Sequence, residues 1–268
     1  FQSSDDTYIV DYDTAGQAIN LVYSDATIGW TPSSDIANAL EPFTNITQKA
    51  IFGYGYTGSN VSISNLVSSS GVVAADTTGV GTARRGLAAA SYGGDKAIFG
   101  YGYVSNVSSL TNLVSNLGVV ASDTTGVGTA RHSLRATGYG VDKAIFGYGD
   151  SGGDTVVSLT NLVSNLGVVS ADTTGVGTAR YGLAAAGYGL DKAIFAYGST
   201  SAGSNFSLSN LVSNTGIVSA DVTGVGTARR IVAATSYGGD KAIVGYGWNG
   251  SSYLSMTNLV SSSGIVAS

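Results

Sequence analysis

The sequence of 268 residues contains no cysteine, 2 prolines, 1 methionine and 1 histidine, and only 11% of its residues are charged. Without cysteine there is no disulfide, no thiolate metal ligand and no cysteine nucleophile, and the compartment stays open. The lone imidazole, His132, offers little to a metal site or a Ser-His-Asp triad. Low charge with 43% hydrophobic residues argues against a solvated, disordered chain. No apolar run approaches the roughly 18 residues that would suggest a transmembrane helix, so no membrane span is expected. The 12 bases against 17 acids give a net charge of -5, which disfavours a general grip on nucleic-acid phosphates.

The charge is unevenly placed. Asp5, Asp6, Asp11, Asp13, Asp25, Asp35 and Glu41 precede Lys49, and no base does. The chain changes character near residue 48, and two domains are expected, an acidic segment over 1–48 and a larger body over 49–268. No basic stretch followed by an apolar run opens the chain, so no signal peptide is expected, and the initial Phe1 suggests a processed product or part of a longer chain.

What the body does have is repetition. KAIFGYG starts at Lys49, Lys96 and Lys143, then reads KAIFAYG at Lys192 and KAIVGYG at Lys241, at intervals of 47, 47, 49 and 49 residues. Asn65, Asn112, Asn161, Asn210 and Asn258 keep step in SNLV or TNLV, as do Arg84, Arg131, Arg180 and Arg229 at the end of each GVGTAR. Apolar segments of 5 to 9 residues separated by Gly, Ser, Asn and Asp have the spacing of strands, and no sustained helical period occurs. In the unit opening at Arg131, strands are expected near 134–139, 143–148, 157–163 and 167–171. Four antiparallel strands in about 45 residues make a propeller blade, so the fold class is all-β, a five-bladed β-propeller preceded by a short hairpin.

An Arg before a strand of small residues, a Tyr-Gly turn and an Ile-Phe-Gly-Tyr-Gly strand together resemble the kelch repeat over residues 49–268. Two features depart from that pattern: the Trp of the fourth strand is missing, and Gly-Tyr-Gly replaces a glycine doublet. The near-identical units, the Ser/Thr/Gly richness and phrases such as INLVYSDATIGW are also similar to kelch-like structural proteins of tailed phages, marine and cyanobacterial ones above all. This resemblance implies a virion or extracellular location and partners among other structural proteins of a particle. Copper-oxidase chemistry, known in one kelch-like enzyme, lacks its ligands here.

Small residues at 88–90, 184–186 and 233–234 suit strands that converge on an axis. Tyr54, Tyr101, Tyr148, Tyr197 and Tyr246 are expected to bury their rings between sheets and bond their hydroxyls, with an aromatic sugar-stacking ladder as the alternative. The repeated Arg, Asp and Lys are expected to knit structure through carbonyls and carboxylates. They are too few per unit for a ring of metal or catalytic sites.

Variation concentrates in the loop after the second strand, at 56–60, 103–106, 150–154, 199–205 and 248–253, and at Arg85, His132, Tyr181 and Arg230. In an up-and-down blade these lie at one end, where a rigid scaffold carries recognition. Tyr56, Tyr103, His132, Tyr181, Trp248 and Tyr253 are the candidate ligand-binding residues, suited to stack on sugars and bond their hydroxyls. Unconstrained drift would give the same loop variation. Asn45, Asn60, Asn106, Asn205 and Asn249 open Asn-x-Ser/Thr triplets that read as glycosylation acceptors or as coincidence in Asn- and Ser-rich loops.

Residues 7–12 and 18–23 around 13–17 read as a hairpin that ends at 28–30 before Pro32, with Trp30 as an attachment anchor. The expected function is non-enzymatic: a virion tail-fibre, appendage or surface-decoration module that binds a receptor or glycan and uses no cofactor or metal. A purely structural spacer and a polysaccharide-acting enzyme are the alternatives, the latter resting on Asp150 and Asp154 as a carboxylate pair. The last unit stops within its fourth strand, so closure is expected to borrow a strand from residues 1–48 or to need a second chain, a homo-oligomer included.

Overall fold

A computed structural model describes residues 21–25, 29–32 and 50–267. The chain divides into two units, Phe1–Thr47 and Gln48–Ser268. In the first, β1 (Leu21–Asp25) pairs antiparallel with β2 (Gly29–Pro32), Tyr23 opposite Trp30. Trp30 is thus inside a strand instead of ending one, and the turn expected at 13–17 lies outside the described residues. The expected strand at 7–12 lies outside the described residues.

All regular structure described in the second unit is β, with no helix among the described residues. β3 (Ala50–Tyr56) and β4 (Asn60–Val67) form a first, two-stranded sheet. Four three-stranded sheets follow in chain order. The second is β5 (Ala88–Tyr92), β6 (Lys96–Tyr103) and β7 (Val107–Val114); the third is β8 (Arg135–Tyr139), β9 (Lys143–Gly147) and β10 (Thr160–Val163). The fourth is β11 (Ala184–Tyr188), β12 (Lys192–Ser199) and β13 (Asn205–Val212); the fifth is β14 (Ala233–Tyr237), β15 (Lys241–Gly245) and β16 (Thr257–Val260). The five small antiparallel sheets match the five repeats, and the strands at 134–139 and 143–148 fall within a residue of their expected bounds.

The expected fourth strand is the main departure. At 167–171 the chain returns along β10 but touches it through isolated bridges, Val163 to Val169 and Thr160 to Thr173. Between those bridges one side advances three residues and the other four, so the ladder slips. The cause is Asn161, whose amide donates to the Ser170 carbonyl and to the Asp172 carboxylate. A side chain takes over pairing that a regular strand would give to backbone. Asn65, Asn112 and Asn210 do the same in their units.

Each central strand kinks at its tyrosine. Tyr54, Tyr101, Tyr148, Tyr197 and Tyr246 all have φ between 61° and 66°, a left-handed conformation costly for a bulky residue. In the first, second and fourth sheets the register slips there, as between Gly53 and Gly55, which marks a β-bulge. The bulge re-aims the ring into the gap between neighbouring sheets, where Tyr101, Tyr148 and Tyr197 are fully buried.

Three of the four gaps are filled in the same way. Phe99 meets Tyr54 edge-on at 5.2 Å, Phe146 meets Tyr101 at 5.1 Å, and Phe195 meets Tyr148 at 5.2 Å. The phenylalanine tip rests on the glycine of the preceding sheet: a Cβ added at Gly53, Gly100 or Gly147 would lie 2.8, 2.5 or 2.6 Å from the ring. Backbone bonds also cross gaps, Gly102 N–H to Arg131 O, Gly149 to Arg180 and Gly198 to Arg229.

β5, β8, β11 and β14 together line one open cavity of about 430 Å³, so these inner strands converge on a common axis. The sheets do not close into a ring among the described residues. Phe52 on the first sheet is 61% exposed and Tyr246 on the last is 62% exposed, while their counterparts between sheets are buried. Tyr246 thus departs from the expectation of five buried tyrosines.

Candidate functional site

Constant residues build the platform on which the variable ones stand. Arg131, fully buried, donates from Nε to Tyr148 O (2.9 Å), from Nη1 to Thr129 O (2.9 Å) and from Nη2 to Asn161 Oδ1 (2.6 Å). Its guanidinium carbon sits 4.3 Å from the ring centroid of Tyr101 in the preceding sheet. Arg84, Arg180 and Arg229 repeat this arrangement over Tyr54, Tyr148 and Tyr197. Four stacked guanidiniums therefore hold the crossings at fixed height.

A carboxylate closes three of the four latches. Asp123 accepts from Thr82 N–H and Oγ1 and from Asn112 Nδ2, 3.8 Å from Arg84 Nη1. Burial pushes its carboxyl up, but these hydrogen bonds and the Arg84 charge prevail and hold it below the ordinary range. Asp172 and Asp221 are held down by the same balance. Burial raises the Tyr101 and Tyr148 hydroxyls to about 12 against the pull of Arg131 and Arg180, and these hydroxyls donate to Val127 and Val176 carbonyls. The repeated ions and tyrosines are thus structural, and the four tyrosines covered by arginine are closed to sugar stacking.

The residue after each latch arginine is the variable one, and it pairs across a β-bridge with the residue after the Tyr-Gly that ends the central strand's motif. Arg85 pairs with Tyr103, His132 with Asp150, Tyr181 with Ser199, and Arg230 with Trp248. The next residues join neighbouring units, Ser133 N–H to Gly86 O (2.8 Å), Gly182 to Ser133 (3.2 Å) and Ile231 to Gly182 (2.7 Å). Two arcs of variable side chains result, an inner one of Arg85, His132, Tyr181 and Arg230, and an outer one of Tyr103, Asp150, Ser199 and Trp248.

All six residues singled out from sequence belong to these arcs or touch them. The Arg85 guanidinium lies 4.7 Å from the ring of exposed Tyr56 and 5.0 Å from that of Tyr103, which meets His132 edge-on at 5.5 Å. At the other end of the arc Arg230 Nη1 donates to Tyr181 Oη at 3.3 Å, and Trp248 packs 4.8 Å from exposed Tyr253. Two groups form, Tyr56–Arg85–Tyr103–His132 and Tyr181–Arg230–Trp248–Tyr253. Arg85 and Arg230 are the functional candidates that an emphasis on aromatics passes over; their place at the variable position was the available signal. Trp30 lies on β2 of the first unit.

Between the groups stands Asp150, buried, with Oδ1 accepting from Gly152 N–H at 2.7 Å. Its carboxylate is turned into its own loop, whereas Asp154 is exposed. Among the described residues no group of three or more His, Asp or Glu side chains is placed to hold a metal ion, and no helix is long and apolar enough to cross a membrane. The Asn60 and Asn205 amides donate to the Tyr103, Val104 and Trp248 carbonyls, so these two triplets position the loops rather than offer free acceptors.

No family model matches the chain, and no curated protein matches it.

Proposed function

We propose that the chain is a non-enzymatic interaction module that meets a receptor or glycan through the two arcs of variable side chains. The observation that supports this is the contrast within one bridge. Arg84, Arg131, Arg180 and Arg229 keep one residue type and one set of partners, while the adjacent Arg85, His132, Tyr181 and Arg230 vary together with the residues they face. Constant latches hold the changing side chains at one height, as a scaffold does for recognition loops. Aromatic faces beside cationic and hydroxyl donors suit sugar rings and their hydroxyls.

The frame is proposed to be a kelch-like β-propeller, and its setting a virion tail fibre, appendage or surface decoration, with residues 1–48 and Trp30 attaching it to other particle proteins. The resemblance of the repeat carries this part of the reading. Glycan-array binding by the full chain, repeated with Trp248→Ala and Tyr181→Ala, tests the face. Loss of binding in either variant supports it, and unchanged binding in both removes it.

The exposed Phe52 and Tyr246 faces favour a second reading, a spacer within an assembly. Under it, Phe52→Asp and Tyr246→Asp abolish incorporation into the particle, while loop-face variants leave incorporation intact and no glycan is bound.

A further inference from the structure

Among the described residues most cationic side chains have a carboxylate or a hydrogen-bond acceptor of their own. Arg84, Arg131 and Arg180 lie within 3.9 Å of an aspartate, and Lys96, Lys143, Lys192 and Lys241 each lie within 2.9 Å of the aspartate before them. Arg229 spends its donors on Tyr246 O, Thr227 O and Asn258. Arg135 donates to the Leu134 carbonyl, and Arg230 to Tyr181.

Arg85 differs from all of them. Its side chain has no carboxylate within ion-pair distance and no hydrogen-bond acceptor among the described residues, although it is held between the Tyr56 and Tyr103 rings. Contact with two aromatic faces restricts the side chain and leaves its N–H groups uncommitted. His132 adjoins these groups, its ring against Tyr103 and its Nδ1 2.9 Å from Ser133 Oγ.

Resting on the reading of this face as a recognition surface, we propose that the Tyr56–Arg85–Tyr103–His132 cluster binds an acidic saccharide. The guanidinium takes a carboxylate or sulfate through paired N–H donors, and the sugar packs against an exposed tyrosine face.

The test is calorimetric titration of the full chain with three oligosaccharides of equal length: a uronic-acid oligomer, a sulfated galactan oligomer and a neutral glucan. Binding of at least one acidic probe, weakened by salt and reduced at least about tenfold by Arg85→Gln, is expected, with a smaller loss for Arg85→Lys. Which acidic probe binds separates carboxylate from sulfate. Lys96→Gln removes the same charge from a pair with Asp95 and leaves binding unchanged. Equal loss in Lys96→Gln, or no effect of Arg85→Gln, overturns the proposal, as does failure of both acidic probes. Neutral glycans that bind through Trp248 and Tyr181 in the same array would then leave the broader reading standing. Unchanged thermal unfolding of the surface variants confirms that they fold.

Discussion

Ala196 and Val244 answer each other across the gap between the fourth and fifth sheets, in one core cluster. In the three earlier gaps a glycine receives a phenylalanine ring: Gly53 with Phe99, Gly100 with Phe146, Gly147 with Phe195. Here the glycine has gained a methyl and the ring has shrunk to valine. The two changes, KAIFAYG and KAIVGYG, are one compensated substitution.

A double-mutant cycle follows from that pair. Val244→Phe alone drives a ring onto the Ala196 methyl and costs about 1 to 3 kcal/mol. Adding Ala196→Gly recovers most of the loss, a coupling of about 1 kcal/mol or more in denaturant unfolding. Additive losses would show that the positions do not meet.

Arg131→Lys tests the latch. Lysine cannot donate at once to Tyr148 O, Thr129 O and Asn161 Oδ1 while lying flat on Tyr101. The variant loses about 3 to 5 kcal/mol, as when a buried charged network is broken. A loss below about 1 kcal/mol would make the latch decorative.

The pH limits of stability follow from the latch and its tyrosines. Asp123, Asp172 and Asp221 have native carboxyls below the ordinary value of 3.8, so their stabilisation is full above the unfolded value and disappears as pH falls through the native one. Asp123→Asn therefore shows a smaller drop in Tm between pH 5 and 3 than the parent; parallel curves would dismiss the carboxylate's part. Tyr101 and Tyr148 are raised to about 12, so the neutral native phenol contributes stability below pH 10 that is lost as pH rises from 10 through 12. Tyr101→Phe unfolds over a narrower alkaline window in a pH-jump melt.

Val141 occupies a turn at φ 74°, where the second and fifth sheets have Gly94 at 80° and Gly239 at 83°. It is 83% exposed, so little packing offsets the strain of a β-branched residue in the left-handed region. Val141→Gly raises Tm by about 2 to 4 °C, equivalent to roughly 1 kcal/mol. A fall in Tm would mean that valine makes contacts in solution that the turn does not reveal.

Much of this was legible in the sequence because it repeats. The period located the sheets, and small residues at 88–90 and 184–186 identified strands that now line a shared cavity. The repeated tyrosine of the central strand suggested burial, which holds for Tyr54, Tyr101, Tyr148 and Tyr197 but not for Tyr246, since burial needs a neighbouring sheet. The fourth strand failed because Asn161 and its equivalents have acceptors within reach that propensity does not weigh. The variable positions were visible one by one. Their pairing as Arg85 with Tyr103 and Arg230 with Trp248 was not, because it joins segments 18 residues apart through a bridge that only folding creates.

The bare Phe52 and Tyr246 faces follow from a body assembled from identical junctions. A stretch cut from one tyrosine to the next carries one knob and one socket, so whole modules can be excised or duplicated and the severed surfaces still mate. Length in such a lineage changes in steps of one module, and each step adds or removes one position on the variable rim.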